Sequence, residues 1–401
     1  MLQPRPLFTP VNLIPLKTKA FAQAMADTGA PHLPLNVLSD HQAVGSPALH
    51  KALLQKIERL LPWLERTLDK SDERWPTVPS DVLALDLALV PRQTHTPVGQ
   101  SWDLAWVEIQ AFTSMLPTCL TLWHAHKILN RTDGYLPHDP LPHGKDWREA
   151  LRAWLAPHPA TVLIEDHPAD QLGWSDFAAA RHWWGVAIHD WRDLEVDDQG
   201  QIWATLPDHP THRQRAHHIW NRVVLPDLPG AERHRMEQQV LRQARHVTWH
   251  SHPGWYEALS KGALAEVPLA DHETCHWVEH HAAEDLGGQW VAKPVTAHSG
   301  EGLIFDPTID QLRALSRPRQ WLIQRRFEPL PMGKTPDGAP LFGEIRCMLG
   351  LRPGQAPWVM VWIVRLSRNG VATMTGRATT AEEGMSLLYF PEGTAYRPDG
   401  C

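Results

Sequence analysis

The sequence has little that would tie it to the outside of a cell, to a membrane or to a polyanion. Its four cysteines, Cys119, Cys275, Cys347 and Cys401, are scattered and form no C-x-x-C pair. That excludes a disulfide framework and a cysteine-ligated zinc module, and predicts free thiols. No stretch of 18 apolar residues occurs, so no helix is expected to span a bilayer. Residues 1–11 lack the basic segment, apolar core and small-residue cleavage site of a secretory leader. Excess positive charge is missing as well: the formal net charge is -7, which gives no general attraction to nucleic acid or an anionic membrane. No internal repeat with a period of about 20–50 residues is present, which excludes solenoids and propellers. These absences predict a cytoplasmic protein with no nucleic acid and no membrane among its partners.

What is present is an ordinary globular balance, 43% hydrophobic and 21% charged. At about 100–200 residues per domain, 401 residues make two or three domains. Leu49, Leu53, Ile57, Leu60, Leu61 and Leu64 recur at three- and four-residue spacing, which predicts an amphipathic helix over 47–68, kinked or divided at Pro62. Two apolar runs, 82–90 and 102–112, flank a turn-rich stretch and read as neighbouring strands. The second carries Glu108 and Gln110, two residues apart and so on one strand face. That face lines either a substrate pocket or solvent.

Three prolines, Pro137, Pro140 and Pro142, mark 132–143 as a loop or linker. Beyond it, 161–165 reads as a strand, 175–184 as a helix capped by Ser175, and 185–189 as a strand, together a βαβ unit. Arg222 closes a short aromatic segment at the edge of this unit. A guanidinium there can hold a substrate carboxylate or form an interdomain salt bridge.

Chemistry concentrates in the last third. Lys293-Pro294 ends an apolar strand and is followed by Ser299-Gly300-Glu301-Gly302 and a second apolar strand. A hairpin loop without bulky side chains can lay backbone N–H groups against phosphate oxygens, with the lysine supplying charge. Lys261 lies 32 residues before Lys293. Gln324 sits in an apolar strand over 320–327, and Glu344 and Arg346 alternate on a later one. Taken together and in this order, the stretch from Trp249 to Tyr396 resembles the ATP-grasp superfamily.

The resemblance implies that Lys261, Lys293, Ser299, Gly300 and Gly302 hold ATP phosphates. It also implies that the strand containing Gln324 is the hinge whose backbone edge pairs with adenine, that Glu344 holds Mg²⁺, and that Arg346 contacts the transferred phosphate, with Arg365 as a further catalytic cation. The implied reaction is ATP-dependent joining of a carboxylate to an amine through an acyl phosphate, with ATP and Mg²⁺ as cofactors and with Glu108, Gln110 and Arg222 as substrate-binding candidates. The implied fold is α/β: a two-lobed ATP-grasp unit over 246–401, preceded by a βαβ-containing domain over 158–245 and an N-terminal α/β substrate or accessory domain over 1–157.

The pattern has a gap. The family supplies a further Glu and Asn as metal ligands after the strand at 359–365, whereas no carboxylate lies between Arg365 and Arg377 here, and Asn369 is the nearest amide. An alternative reading is therefore a protein that binds nucleotide without efficient turnover and serves as a binding module. A third comes from His272-Glu273-Thr274-Cys275-His276, which matches H-E-x-x-H. On a helix that spacing puts two imidazoles on one face for Zn²⁺, with Glu273 as general base of a hydrolase. The reading preferred here makes those residues part of a helix linking the strand that bears Lys261 to the strand that bears Lys293.

Overall fold

The computed structural model describes residues 10–30, 38–68, 81–92, 100–139, 141, 146–171, 173–206, 209–244, 246–267, 269, 273–278, 289–295, 302–352, 354–368, 380 and 382–392. The chain begins with β1 (Val11–Pro15), α1 (Thr18–Asp27), β2 (His41–Gly45) and α2 (Pro47–Leu68). A hairpin of β3 (Val82–Pro91) and β4 (Trp102–Gln110) follows, then α3 (Leu116–Ile128), β5 (Tyr135–Leu136) and α4 (Trp147–Leu155). Next come β6 (Thr161–Glu165), α5 (Trp174–Trp184), β7 (Ala187–Asp190), β8 (Leu194–Val196), β9 (Ile202–Leu206), β10 (His209–Ala216), β11 (His218–Asn221), α6 (Gly230–Met236), β12 (Thr248–His250) and α7 (Pro253–Ala258). The last third holds β13 (Cys275–Trp277), β14 (Trp290–Pro294), β15 (Ile304–Phe305), β16 (Trp321–Arg325), β17 (Pro331–Lys334), β18 (Pro340–Gly350), β19 (Trp358–Ser367) and β20 (Gly384–Pro391).

A nine-stranded sheet dominates, ordered β1-β2-β20-β19-β18-β3-β4, with β17 added on β18 and β5 on β20. It crosses the divisions expected at 157 and 245. The N-terminal hairpin pairs through β3 with β18, from Glu344 opposite Ala88 to Gly350 opposite Val82. Within 132–143, Tyr135–Leu136 form β5 of the same sheet, paired with Phe390 and Pro391 of β20. Alternation decides which side chains face which way. Leu83, Leu85, Leu87 and Leu89 of β3 pack with Ile345, Cys347 and Leu349 of β18 and with the apolar stripe of α2, including Leu49, Leu53, Ile57 and Leu60. Burying each such side chain contributes about 1.5–3 kcal/mol, which is why the amphipathic stripe of α2 was readable in advance. Pro62 lies inside α2, and the helix continues through it as one element. The opposite sheet face packs Val82, Ala84, Met348, Ile363 and Leu387 against α1, α3 and α4.

The expected βαβ unit is present, with α5 starting at Trp174 and Gly173 rather than Ser175 at its N-cap. Its strands belong to a parallel sheet ordered β12-β11-β6-β7. Chain order runs outward in both directions from β6, so the switch point lies between β6 and β11. A small antiparallel sheet, β13-β16-β14-β15, forms a separate lobe over the edge of β4, and β10-β9-β8 form a three-stranded sheet. No helix among the described residues is long and apolar enough to cross a membrane.

Candidate functional site

The site begins with an irregularity in β4. Asp86 pairs with Glu108 but Leu87 pairs with Trp106, so Val107 is an extra, bulged residue. Without the bulge, Trp106 and Glu108 would share a face. With it, Trp106 joins the core against α2 while Glu108 turns to the opposite face beside Asp86. Gln110, opposite Ala84, is on that second face and buried.

Register extends the polar face across the sheet. Asp86 lies opposite Arg346 on β18, and Glu344 lies opposite Arg365 on β19. Arg346 donates from Nε and Nη2 to the two Asp86 oxygens, both at 2.6 Å, and Arg365 donates to Asp86 Oδ2 at 2.9 Å. Arg365 also pairs with Glu344. Asp86 has no exposure at all, which alone would raise its carboxyl pKa. The Arg346 and Arg365 guanidiniums, helped by Lys261, more than reverse that and hold it below the usual range.

The small lobe closes the row at the free edge of β4, where unpaired backbone groups need partners. Lys293 Nζ donates to the carbonyl of the bulged Val107 at 2.8 Å, and Gln324 Nε2 donates to Trp106 O at 2.7 Å. The Trp106 N–H goes to Glu273 Oε1 at 2.9 Å. Lys261 Nζ lies 3.5 Å from Glu108 Oε1. Burial pulls the Lys293 ammonium pKa below its ordinary value, opposed by Cys275 and Glu108. Gly302, at φ +70°, sits where an added Cβ would come within 3.1 Å of Pro294, so the glycine lets the returning chain close on the Lys293-Pro294 corner.

The fold thus gathers Glu108, Lys261, Lys293, Gln324, Glu344, Arg346 and Arg365 into one polar layer between the small sheet and the nine-stranded sheet. Ser299, Gly300 and Asn369 lie outside the described residues. Three local expectations change. Lys261 opens a short 3₁₀ helix, Lys261–Ala265, instead of lying on a strand. Both backbone edges of β16 are taken, by β13 and by β14, so the adenine-pairing edge expected around Gln324 is not free within that strand. Cys275–Trp277 is a strand paired with β16, and Glu273 accepts from Lys56 Nζ at 2.6 Å, so Cys275 and His276 of the H-E-x-x-H match are not in the expected linking helix; His272 lies outside the described residues.

Sequence reasoning missed two residues. Asp86 interrupts an otherwise apolar strand, and a lone carboxylate in such a strand requires a buried partner. Glu165 ends β6 at the switch point of the parallel sheet, where ligands of open α/β sheets bind. Glu165 is 8% exposed, and burial raises its pKa to about 7, with Arg222 opposing.

Arg222, just beyond the end of β11, donates to Asp176 at 3.1 Å and lies over the rings of Phe112 and Phe177 at 4.9 and 5.1 Å. Asp176 meanwhile accepts from Met115 N, Thr118 N and Thr118 Oγ1 at the start of α3. Burial, then Asp227 and Glu108, push the Tyr256 phenol up, and Tyr256 packs edge-on against Phe112. Phe112 and Tyr256 therefore bridge the Arg222 end of the parallel sheet to Glu108.

A second acidic group, Asp166, His167 and Asp190, lies at the ends of β6 and β7, with potential ligand atoms within 4.8 Å of one another. Arg192 already donates to Asp166 at 2.8 Å and to Asp190 at 2.9 Å, so a guanidinium occupies the position a cation would take.

This architecture is a mixed α/β fold of several sheets and flanking helices. The chain is similar to a solved structure described as a glutathione synthetase like-effector from Globodera pallida in apoform, at 12% identity and a TM-score of 0.54, covering 93% of this chain and 96% of that one. At that identity the likeness shows the fold alone. No family model matches the chain. No curated protein matches it either.

Proposed function

We propose that the chain is an ATP-dependent carboxylate-amine ligase that binds ATP in the cleft between the small sheet and the polar face of the nine-stranded sheet. The observation that carries this reading is convergence: Asp86, Glu108, Lys261, Lys293, Glu344, Arg346 and Arg365 come from six separate elements, and one bulge and one register bring them together. Lys261 and Lys293 would bind phosphates. Arg346 and Arg365 would stabilise charge on the transferring phosphoryl group, a role that fixed guanidiniums perform without reorganising.

The donor set fits Mg²⁺: the Glu108 and Glu344 carboxylates lie on one polar face beside Lys261 and Arg365, and hard cations prefer carboxylate oxygens. When bound there, Mg²⁺ would neutralise phosphate charge. At the other end, Arg222 would hold a substrate carboxylate against Phe112, and Glu165, with a pKa of about 7, would meet an amine and accept its proton near neutral pH.

A second reading is a nucleotide-binding module without turnover. It is favoured by the bidentate Arg346–Asp86 pair, because Arg346 is 6% exposed and must loosen from Asp86 to meet a substrate. The test is Mg²⁺-dependent ATP binding and ADP release by wild type, Lys293→Ala and Glu344→Ala against pools of amino acids, polyamines and short peptides. The ligase binds ATP, loses that binding in Lys293→Ala, and releases ADP only with a substrate pair. Binding without turnover on every pool supports the module, and absence of ATP binding rejects both.

A further inference from the structure

Arg346 and Arg222 are equally buried, at 6% and 5% exposure, but their guanidiniums are used differently. Arg346 turns its Nε–Nη2 edge to Asp86, and both donors are filled at 2.6 Å. Among the described residues the Arg222 guanidinium makes one hydrogen bond, from Nη1 to Asp176 at 3.1 Å. Phe112 and Phe177 lie over it, their ring centroids 4.9 and 5.1 Å from its central carbon. That leaves the in-plane Nε–Nη2 edge, whose fork of donors matches a carboxylate.

A glycine keeps this edge open. Gly173, at the N-cap of α5, has φ −78° and ψ 2°, a conformation that other residues also adopt. Packing does not demand glycine either: an added Cβ would meet Phe177 Cζ at 3.4 Å and Arg222 Nη2 at 3.8 Å, ordinary contact distances. N-caps favour Ser, Thr, Asp or Asn, whose side chains accept from the first turn, and α5 has no such bond. The missing side chain therefore gives up a cap and leaves Nη2 uncovered at the helix end that favours an anion.

Charge and walls narrow the ligand. Arg222 already shares its charge with Asp176, and Glu165 and Asp227 act on the same region. A phosphate dianion would crowd two further negative charges against these carboxyl groups, whereas a monocarboxylate adds one. The gap is one side chain wide and bordered by the Phe177 ring. Trp174, the next residue, is one of four large apolar side chains exposed among the described residues, at 42%. Apolar surface beside a buried cation suits a ligand with a carboxylate head and an apolar body.

We propose that Gly173 is the specificity-determining residue of a subsite at Arg222 that takes a monocarboxylate on a flat apolar body, an arenecarboxylate, paired in plane along the Nε–Nη2 edge. The inference rests on the reading of Arg222 as the holder of a substrate carboxylate, and adds what that carboxylate is carried on and which residue admits it.

The experiment is calorimetric titration of the full chain, without ATP or metal, with benzoate, acetate and inorganic phosphate. Benzoate is expected to bind at least about tenfold more tightly than acetate, because its ring leaves water, and phosphate is expected to bind more weakly than benzoate. Gly173→Asn supplies a residue that N-caps favour and covers Nη2. It is expected to weaken benzoate at least about tenfold while the urea midpoint holds or rises. Arg222→Lys keeps the charge and loses the fork, and is expected to weaken benzoate about 10–100-fold. The inference is overturned if benzoate fails to bind wild type, binds it no better than acetate or phosphate, or binds either variant as tightly as wild type. If Gly173→Asn unfolds, Gly173→Ala decides by whether its added carbon weakens benzoate. Because no nucleotide enters these titrations, the ligase reading can fail on ATP while the subsite stands, and the subsite can fail on benzoate while ATP binding stands.

Discussion

The two ends of the cleft solve the same problem, charge held away from water, in opposite ways. Around Asp86 the charges saturate one another: Arg346 fills both carboxylate oxygens, and Arg365 bridges Asp86 and Glu344. At the mouth of the parallel sheet they do not. Arg222 gives Asp176 a single hydrogen bond from Nη1 among the described residues, and Glu165 sits buried with its pKa at about 7. A saturated cluster is suited to holding geometry, while an unsaturated one has donors and acceptors left for a ligand.

The sharpest way to break this comparison is to remove a partner at each end. Asp86→Ala should destabilise the fold by about 3–5 kcal/mol, because Arg346 is left charged and buried. Urea denaturation measures this, and the double variant Asp86→Leu with Arg346→Met should recover a large part of the loss. Arg222→Ala should cost less, about 1–3 kcal/mol, since Asp176 keeps its three hydrogen bonds from the start of α3. Equal losses at the two ends would erase the distinction.

A third effect is one of pH. Glu165 has a folded pKa raised to about 7 from an ordinary 4.5, so the fold holds its proton more tightly than the unfolded chain does. The stability this contributes is complete below pH 4.5 and is lost as pH rises through about 7. Wild type should therefore lose stability relative to Glu165→Gln between about pH 5 and pH 8, read from urea midpoints of both proteins. A flat difference would place Glu165 in water.

Local pattern carried much of this architecture in advance. The stripe of α2, the hairpin strands and the alternation of Glu344 and Arg346 are all period-2 or period-3.6 signals, and each element occurs close to its expected bounds. Glu108 and Gln110 do share a face, as their spacing requires, but the neighbour that gives Glu108 its meaning is Asp86, and their pairing depends on a bulge that no spacing rule announces. The expected helix around Cys275 failed for a related reason: three residues were recruited as a strand by β16, a tertiary demand that outweighs a short motif. The divisions expected at 157 and 245 followed chain order, whereas β3 and β18 pair across more than half the chain.

That long-range pairing has a consequence for biosynthesis. The Asp86–Arg346 bond spans 260 residues, so at about 5–20 residues per second β3 emerges from the ribosome roughly 13–52 s before its central partner exists. During that interval a strand reading Val-Leu-Ala-Leu-Asp-Leu-Ala-Leu-Val has β4 on one side and nothing on the other. An apolar strand with an open edge is a template for pairing between chains, and Asp86, still without its arginines, is the charge that discourages it. The residue that later anchors the cleft is thus also the nascent chain's gatekeeper against aggregation.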